Sequence, residues 1–530
     1  MKKLRLFAAV AALALTTALT PVHAATPKDT LVVGFWIDDV ISLDPAEVLE
    51  FTASEAIGNS YERIIAYDPK NPKDLYGQAA ESWTVSEDGK TITFKIRPDK
   101  KFASGNPLSA EDVVFSLQRV VSLNLSPAFI LTQFGLTKEN VKDKIKQTGP
   151  LEFTFEMDQP YAPTFVLNCM SSTIAAVVDK KLVLQHEKDG DLGQAWLKTN
   201  YAGSGPYVIR TWKPNEVIIM ERNDNYHEKT PLKRIIYRHV KEIATQRMML
   251  EKGDLDIARK LDADQLAAVE KNPDIKIVSG PKSTVYYLGL NQKNEYLAKP
   301  EVREALKYLV DYDAISNTLI KQIGKKHQNF LPEGMLGALT DTPYSLNVEK
   351  AKGLLEKAGL KDGFSVKIDA RNVALTQGLA QAIQQTFGLA NVKLEIIPGE
   401  SKQVLTKYRA RQHDIYIGQW GADYQDPHTN ASTFALNLDN SDDAKEKPLA
   451  WRNAWAVPED MNKLTEAASL ERNADTRIKM YHELQNRVNA EGPYVFLYQD
   501  IETWAVRSNV DGFRIGPSLE SNEFKDVTKK

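Results

Sequence analysis

Apolar and polar residues alternate along Thr91–Ile96 and again along Leu151–Met157, the pattern of strands with one face in a core. Between them, Val113, Val114, Leu117 and Val120 follow Ser109-Ala110-Glu111-Asp112 and predict a helix. Ser109 can cap its free amides, and Asp112, three residues on, can answer the cap. A second helix starts at Pro300, where a missing N–H costs nothing, and carries a core-facing stripe of Val302, Ala305, Leu306, Leu309 and Val310. A third spans Val348–Ala358, capped by Asn347 and stopped by Gly359. Thr284–Leu290 and Tyr494–Tyr498 are unbroken apolar and aromatic runs, as expected of strands in the middle of a sheet. They bracket about 200 residues, the size of one domain. A domain inserted between two central strands is joined to the rest by two crossings, which is the wiring of a hinged two-lobe protein.

Composition narrows the class. The chain has 530 residues, 42% hydrophobic and 26% charged, which is ordinary globular usage over a length that calls for several domains. Lys2, Lys3 and Arg5 precede the apolar run Leu6–Leu19, which leads into Thr20-Pro21-Val22-His23-Ala24. With Val22 and Ala24 as small residues at a cleavage site, residues 1–24 read as a secretory signal peptide. The run is shorter than the roughly 18 residues a membrane-spanning helix needs. Cleavage removes three positive charges and no negative ones, so the net charge moves from -3 to -6. An acidic mature chain without clustered Lys or Arg is not built to bind nucleic acid. The only cysteine, Cys169, excludes an intrachain disulfide, and its apolar neighbours predict an inert buried thiol. With no cysteine behind the signal sequence to carry a lipid, the expectation is a freely diffusing protein between two membranes.

Catalytic patterns are missing. None of the eight His residues forms a His-Glu-x-x-His pair, and no Gly-x-Ser-x-Gly elbow occurs. Gly203-Ser204-Gly205-Pro206 runs into a proline and a strand-like segment, so it reads as a tight turn and not as a phosphate cradle. Asp423, Asp426 and His428 lie close enough to suggest metal ligands, but Asp426-Pro427 reads first as turn chemistry. The expectation is a protein that is not an enzyme and carries neither cofactor nor metal.

A long stretch then narrows the choice. Ala80-Glu81-Ser82-Trp83-Thr84-Val85-Ser86-Glu87-Asp88-Gly89 leads through Thr91–Arg97, Phe102 and Gly105 to Pro107-Leu108-Ser109-Ala110-Glu111-Asp112-Val113-Val114-Phe115-Ser116-Leu117. This resembles the signature of the peptide-binding class, family 5, of bacterial extracellular solute-binding proteins, the receptors of oligopeptide and dipeptide ABC importers. Further similarities follow in the family's order: Ser42-Leu43-Asp44-Pro45, Gly203-Ser204-Gly205-Pro206-Tyr207, Val302-Arg303-Glu304-Ala305-Leu306 and Trp420-Gly421-Ala422-Asp423-Tyr424. Ser104-Gly105 departs from the Asp-Gly of many relatives. The resemblance implies an α/β, two-lobe periplasmic-binding-protein fold of the Venus-flytrap type, with an extra subdomain in the first lobe. Residues 25–63, 190–280 and 501–530 would form the core of lobe I, 64–189 its extra subdomain, and 281–500 lobe II. It also implies a monomeric receptor that hands peptides to the membrane permease and ATPase subunits of an importer.

The resemblance also names a site. Asp423 matches the aspartate that pairs with the peptide's ammonium, and Trp420 would wall the pocket. Leu49, Glu50 and Phe51, with Gln419, Trp420 and Gly421, match the segments that add the peptide as an extra strand, which satisfies any peptide backbone without reading its side chains. Oligopeptide receptors hold the carboxylate with a basic residue at the position of Ile417, so that contact is absent. Dipeptide receptors use an arginine near the place of Arg371, whose planar fork suits a carboxylate. Fold does not fix ligand. An opine, an oligosaccharide or a nickel complex is the alternative cargo, and a periplasmic chaperone the more distant reading.

Overall fold

The computed structural model describes residues 26–518 and 520–530, so the predicted signal peptide lies outside the described residues. Two long strands, Ile275–Leu290 and Tyr494–Arg507, run antiparallel through the middle of the molecule. In one half, Ile275–Pro281 pairs with Ile501–Arg507; in the other, Val285–Gly289 pairs with Tyr494–Gln499. The register breaks between Pro281 and Val285. Proline has no N–H for the ladder and is tolerated at such an irregularity. The sequence pattern shows only the halves Thr284–Leu290 and Tyr494–Tyr498, because Lys276, Ser279, Glu502 and Thr503 interrupt any apolar run in the other halves.

These strands carry one continuous sheet from lobe to lobe. Beyond Tyr494–Arg507 come Ile257–Arg259, Thr30–Phe35, Arg234–His239, Val217–Arg222 and Tyr207–Lys213. Beyond Ile275–Leu290 come Ile415–Gly421, Phe364–Arg371 and Val392–Gly399. The last two are parallel, joined by the crossover helix Ala374–Gly388, since parallel neighbours cannot be linked by a hairpin. The first half-sheet buries Leu31, Val33, Ile57, Tyr207, Ile235 and Trp504 in one core. The second is covered on both faces, by Leu288, Val302, Leu306 and Ile383 on one side and by Tyr287, Phe330, Phe434 and Tyr494 on the other. The result is an α/β fold with two lobes.

The predicted helices form. Pro300–Lys307 stops short of Leu309 and Val310, which are fully buried past its end. The chain breaks there because Asp311 caps the next helix, Tyr312–Asn317, by accepting from the Ala314 N–H. Val348–Lys357 starts at Asn347, whose side chain accepts from the Lys350 N–H.

A further core is drawn mainly from residues 64–177. Ala80–Val85, Thr91–Ile96, Glu152–Glu156 and Ile145–Gly149 form an antiparallel sheet in that order. Phe94 stacks on Phe153 with centroids 4.9 Å apart, and the helix Ala110–Leu123 adds Val113, Leu117 and Val120. Asp112 Oδ2 accepts from the Ser109 N–H at 3.0 Å, the expected capping box. Cys169 is fully buried here, and burial raises its thiol pKa well above the ordinary value. Arg119 on this helix grips Asp44 with two bonds of 2.8 and 2.5 Å, both side chains buried, tying the subdomain to the lobe I core. The Gly203–Pro206 segment forms no helix N-terminus. Gly205 donates its N–H to Ser60 O at 2.9 Å, and a Cβ there would lie 2.5 Å from the Ser60 backbone, so glycine is required by close packing.

Candidate ligand-binding site

Strands from both lobes end at one crevice, the usual place for a ligand in an α/β sheet. Phe35, Arg259 and Gln419–Gly421, at the carboxyl ends of Thr30–Phe35, Ile257–Arg259 and Ile415–Gly421, all line a cavity of about 340 Å³. Lys282–Thr284, at the break in the long strand, and Glu502 of its partner form the back wall. Ile130, Ser172 and Thr173 of the subdomain contribute as well.

The back wall is a buried charge network. Arg259 donates through Nη1 to Glu55 at 2.8 Å and through Nε to Glu502 at 3.0 Å. Its guanidinium lies between the rings of Phe35 and Trp504, at 4.5 and 4.7 Å. Lys282 Nζ donates to Gly516 O, Ser518 O and Asn522 Oδ1 at 2.7, 3.0 and 2.9 Å and stands 3.3 Å from Glu502. The attraction of these cations holds the Glu502 carboxyl well below its usual range despite burial. Sequence reading missed all of this. The only signal was a charged residue beside a proline inside an otherwise strand-like stretch, at Pro281-Lys282.

Asp423 lines the cavity from the lobe II side, two residues past the strand Ile415–Gly421. Among the described residues no cation lies within ion-pair distance of it. Burial raises its carboxyl from the usual 3.8 to about 6, against a smaller pull from the Thr429 hydroxyl. Its N–H donates to Thr429 Oγ1 at 3.2 Å. Asp426 does something different. Both its oxygens accept from Arg477, at 2.8 and 2.7 Å, with both side chains buried, and Oδ1 also accepts from the His428 N–H at 2.9 Å. That is turn chemistry, and no group of three potential metal ligands occurs among the described residues.

The remaining expected residues divide. Gln419, Trp420 and Gly421 pair with Tyr286, Val285 and Thr284 on one side. On the other side, Phe364–Arg371 pairs only with Ile415 and Tyr416, leaving Ile417–Gly421 without a strand partner among the described residues. Trp420 keeps a buried indole N–H with no acceptor among those residues. Leu49 and Phe51 line the cavity, but the segment is a loop-to-helix junction: Glu50 precedes the helix Phe51–Gly58 in an extended conformation and is not among the cavity residues. Arg371 lies at the end of its strand and outside the cavity lining, with Nη2 donating to Gln419 Oε1 at 2.9 Å.

Next to Asp423 the chain crosses from lobe II into the subdomain core. Tyr424 is buried there, its ring 5.6 Å from that of Phe165 and its hydroxyl donating to Gln133 at 3.3 Å. Ala162 N–H donates to Ser469 O at 2.9 Å alongside. Lobe II and the subdomain therefore touch directly beside Asp423.

The sequence pattern of the family described as bacterial extracellular solute-binding proteins, family 5 Middle, matches residues 74–442. The chain belongs to that family. It is 28% identical over 516 residues, 96% of either chain, to a protein of Escherichia coli (strain K12) named as the probable D,D-dipeptide-binding periplasmic protein DdpA. Among solved structures it resembles the periplasmic binding protein DppA of Helicobacter pylori in complex with the peptide STSA, with a TM-score of 0.76, 22% identity and coverage of 94% and 98%. It also resembles AgaA of A. tumefacien R10 in complex with agropinic acid, with a TM-score of 0.74, 22% identity and coverage of 94% and 99%. Both likenesses carry the two-lobe α/β fold.

Proposed function

We propose that this chain is the periplasmic receptor of an ABC importer and carries short peptides with a free amino end. The observation that carries the reading is Asp423, an uncompensated carboxylate in the cavity between the lobes, beside an open strand edge. An ammonium ion answers the charge, and a peptide backbone answers the edge at Ile417–Gly421. Trp420 walls the pocket with a donor still to be satisfied. Leu49 and Phe51 face the ligand from lobe I, while the Glu50 carbonyl between them accepts from the Ser54 N–H and stays with its helix. A cavity of about 340 Å³ is at the small end of ligand sites, which favours short peptides. The ligands named for two similar proteins, a D,D-dipeptide and the peptide STSA, support the same class.

In this reading residues 1–24 direct export and are removed, leaving no lipid anchor. Lobe I comprises 25–63, 190–280 and 501–530 with the subdomain 64–189, lobe II comprises 281–500, and a monomer presents its closed form to a permease. The chemistry is binding, not catalysis. Opine cargo is the second reading, favoured by the likeness to AgaA. Mass spectrometry of the small molecules released on denaturing the purified protein separates the two. Calorimetric titration with a dipeptide panel, including D-Ala-D-Ala, then tests the amine contact. Asp423→Asn should weaken binding at least tenfold, since unpairing a buried charge costs about 2–5 kcal/mol; equal affinity would remove Asp423 from the site.

A further inference from the structure

Once Asp423 holds the amino end, the ligand's carboxylate needs a cation, and the cavity has three: Arg259, Lys260 and Lys282. Two are fully engaged. Arg259 is held by Glu55 and Glu502 and clasped between two rings. Lys282 spends its three N–H donors on Gly516 O, Ser518 O and Asn522 Oδ1. Lys260 is different. Among the described residues its ammonium makes no hydrogen bond. Its ion-pair contact is Glu502 Oε1 at 4.0 Å, an oxygen that already accepts from Arg259 Nε and from Trp504 Nε1 at 2.9 Å. Asp500, the other acid beside it in the cavity, forms no ion pair among the described residues, and the Lys260 charge only partly offsets the burial that raises its carboxyl.

Placement supports the same assignment. Lys260 directly follows the lobe I strand Ile257–Arg259, and Asp423 follows the lobe II strand Ile415–Gly421, so opposite charges stand at strand ends of opposite lobes around one cavity. Lys260 also holds φ +62, a left-handed backbone that a residue with a Cβ seldom adopts and that tends to persist where function requires it. Arg371 lies outside the lining and is turned to Gln419.

We infer that Lys260 binds the carboxylate of the ligand, so that the receptor selects zwitterions with both termini free and uses the two termini to draw lobe I and lobe II together. The inference rests on the peptide reading and adds a second end to it. On binding, the ammonium leaves the crowded Glu502 oxygen and donates to the incoming carboxylate, with no bond made or broken.

The test uses the full mature receptor, stripped of resident ligand, titrated with Ala-Ala and with its C-terminal amide in whichever stereochemistry binds tighter. Wild type should prefer the free acid by about 10–100-fold, the worth of one charge-assisted hydrogen bond. Lys260→Met should lose that preference and bind both probes as weakly as wild type binds the amide. Lys260→Gly removes the charge while relieving the left-handed backbone, so a loss of preference there is no folding defect; Lys260→Arg should retain most of it. A preference that survives Lys260→Met and Lys260→Gly, or one abolished by Arg371→Ala instead, overturns the inference. In that case a large effect of Asp423→Asn on the amide probe still upholds the peptide reading. If wild type binds neither probe, both fall.

Discussion

Asp423 and Asp426 stand three residues apart and do opposite work. Asp426 is neutralised by Arg477 inside lobe II, and removing one partner of such a pair leaves a buried charge. Arg477→Met should therefore cost about 3–5 kcal/mol in urea unfolding, with no direct contact to the ligand lost. Asp423 has no such partner, and its raised carboxyl gives a pH signature. In the proposed site the ligand's ammonium prefers the ionised carboxylate, so affinity should fall as pH drops through about 6. Titration at pH 5 should give a dissociation constant roughly tenfold above that at pH 7. The empty protein behaves inversely. A carboxyl raised in the folded state makes that state bind a proton more tightly, so its contribution weakens stability as pH rises from the usual 3.8 towards about 6. Asp423→Asn should accordingly raise the melting temperature of the empty protein at pH 7 while lowering its affinity. A variant that loses both would mark Asp423 as structural.

At the scale of elements, local signals were legible where the chain answers to itself. Ser109 and Asp112 announce a helix start because the capping bonds close within four residues, and the bonds form. Ser109→Ala should cost about 1 kcal/mol, measurable as a shift in the denaturation midpoint with unchanged slope. Thr91–Ile96 was legible for the same reason: one face meets Phe153 and Val113, the other solvent. The long strands were only half legible. Their apolar halves lie between the two covered faces of lobe II, whereas the other halves carry Lys276, Ser279, Glu502 and Thr503 and meet the cavity at Glu502 and at the break Lys282–Thr284. A strand that lines a polar site loses the pattern by which strands are recognised. Lys260 was illegible too, since nothing in Ala258-Arg259-Lys260-Leu261 separates an engaged cation from a free one.

At the scale of the whole molecule, the stretch that carries Asp423 also joins lobe II to the subdomain. Tyr424, the next residue, is buried in the subdomain core, so the proposed amine contact and the junction between lobe II and the subdomain share one backbone. Ligand can favour the closed form only through contacts that the open form lacks. Tyr424→Ala should shift the empty receptor towards an open form, seen as a larger radius of gyration by X-ray scattering, and should weaken peptide binding without altering its pH midpoint. An unchanged radius would place the hinge equilibrium elsewhere.

Sequence alone determined the apolar halves of the two central strands with about 200 residues between them and the capped helices, and the family pattern around Trp420–Tyr424 supplied the ligand contact proposed above. These are matters of local bonding, periodicity or direct likeness, all written along a single stretch of chain. The charge state of the cavity was decided only by the tertiary structure. Glu55, Arg259, Lys282 and Glu502 come from four distant segments, and whether a cation is engaged or available depends on which of them meet. Electrostatic energy follows distance and burial, not order along the chain, so Asp423 could be named from its neighbours in sequence and Lys260 only from its neighbours in space.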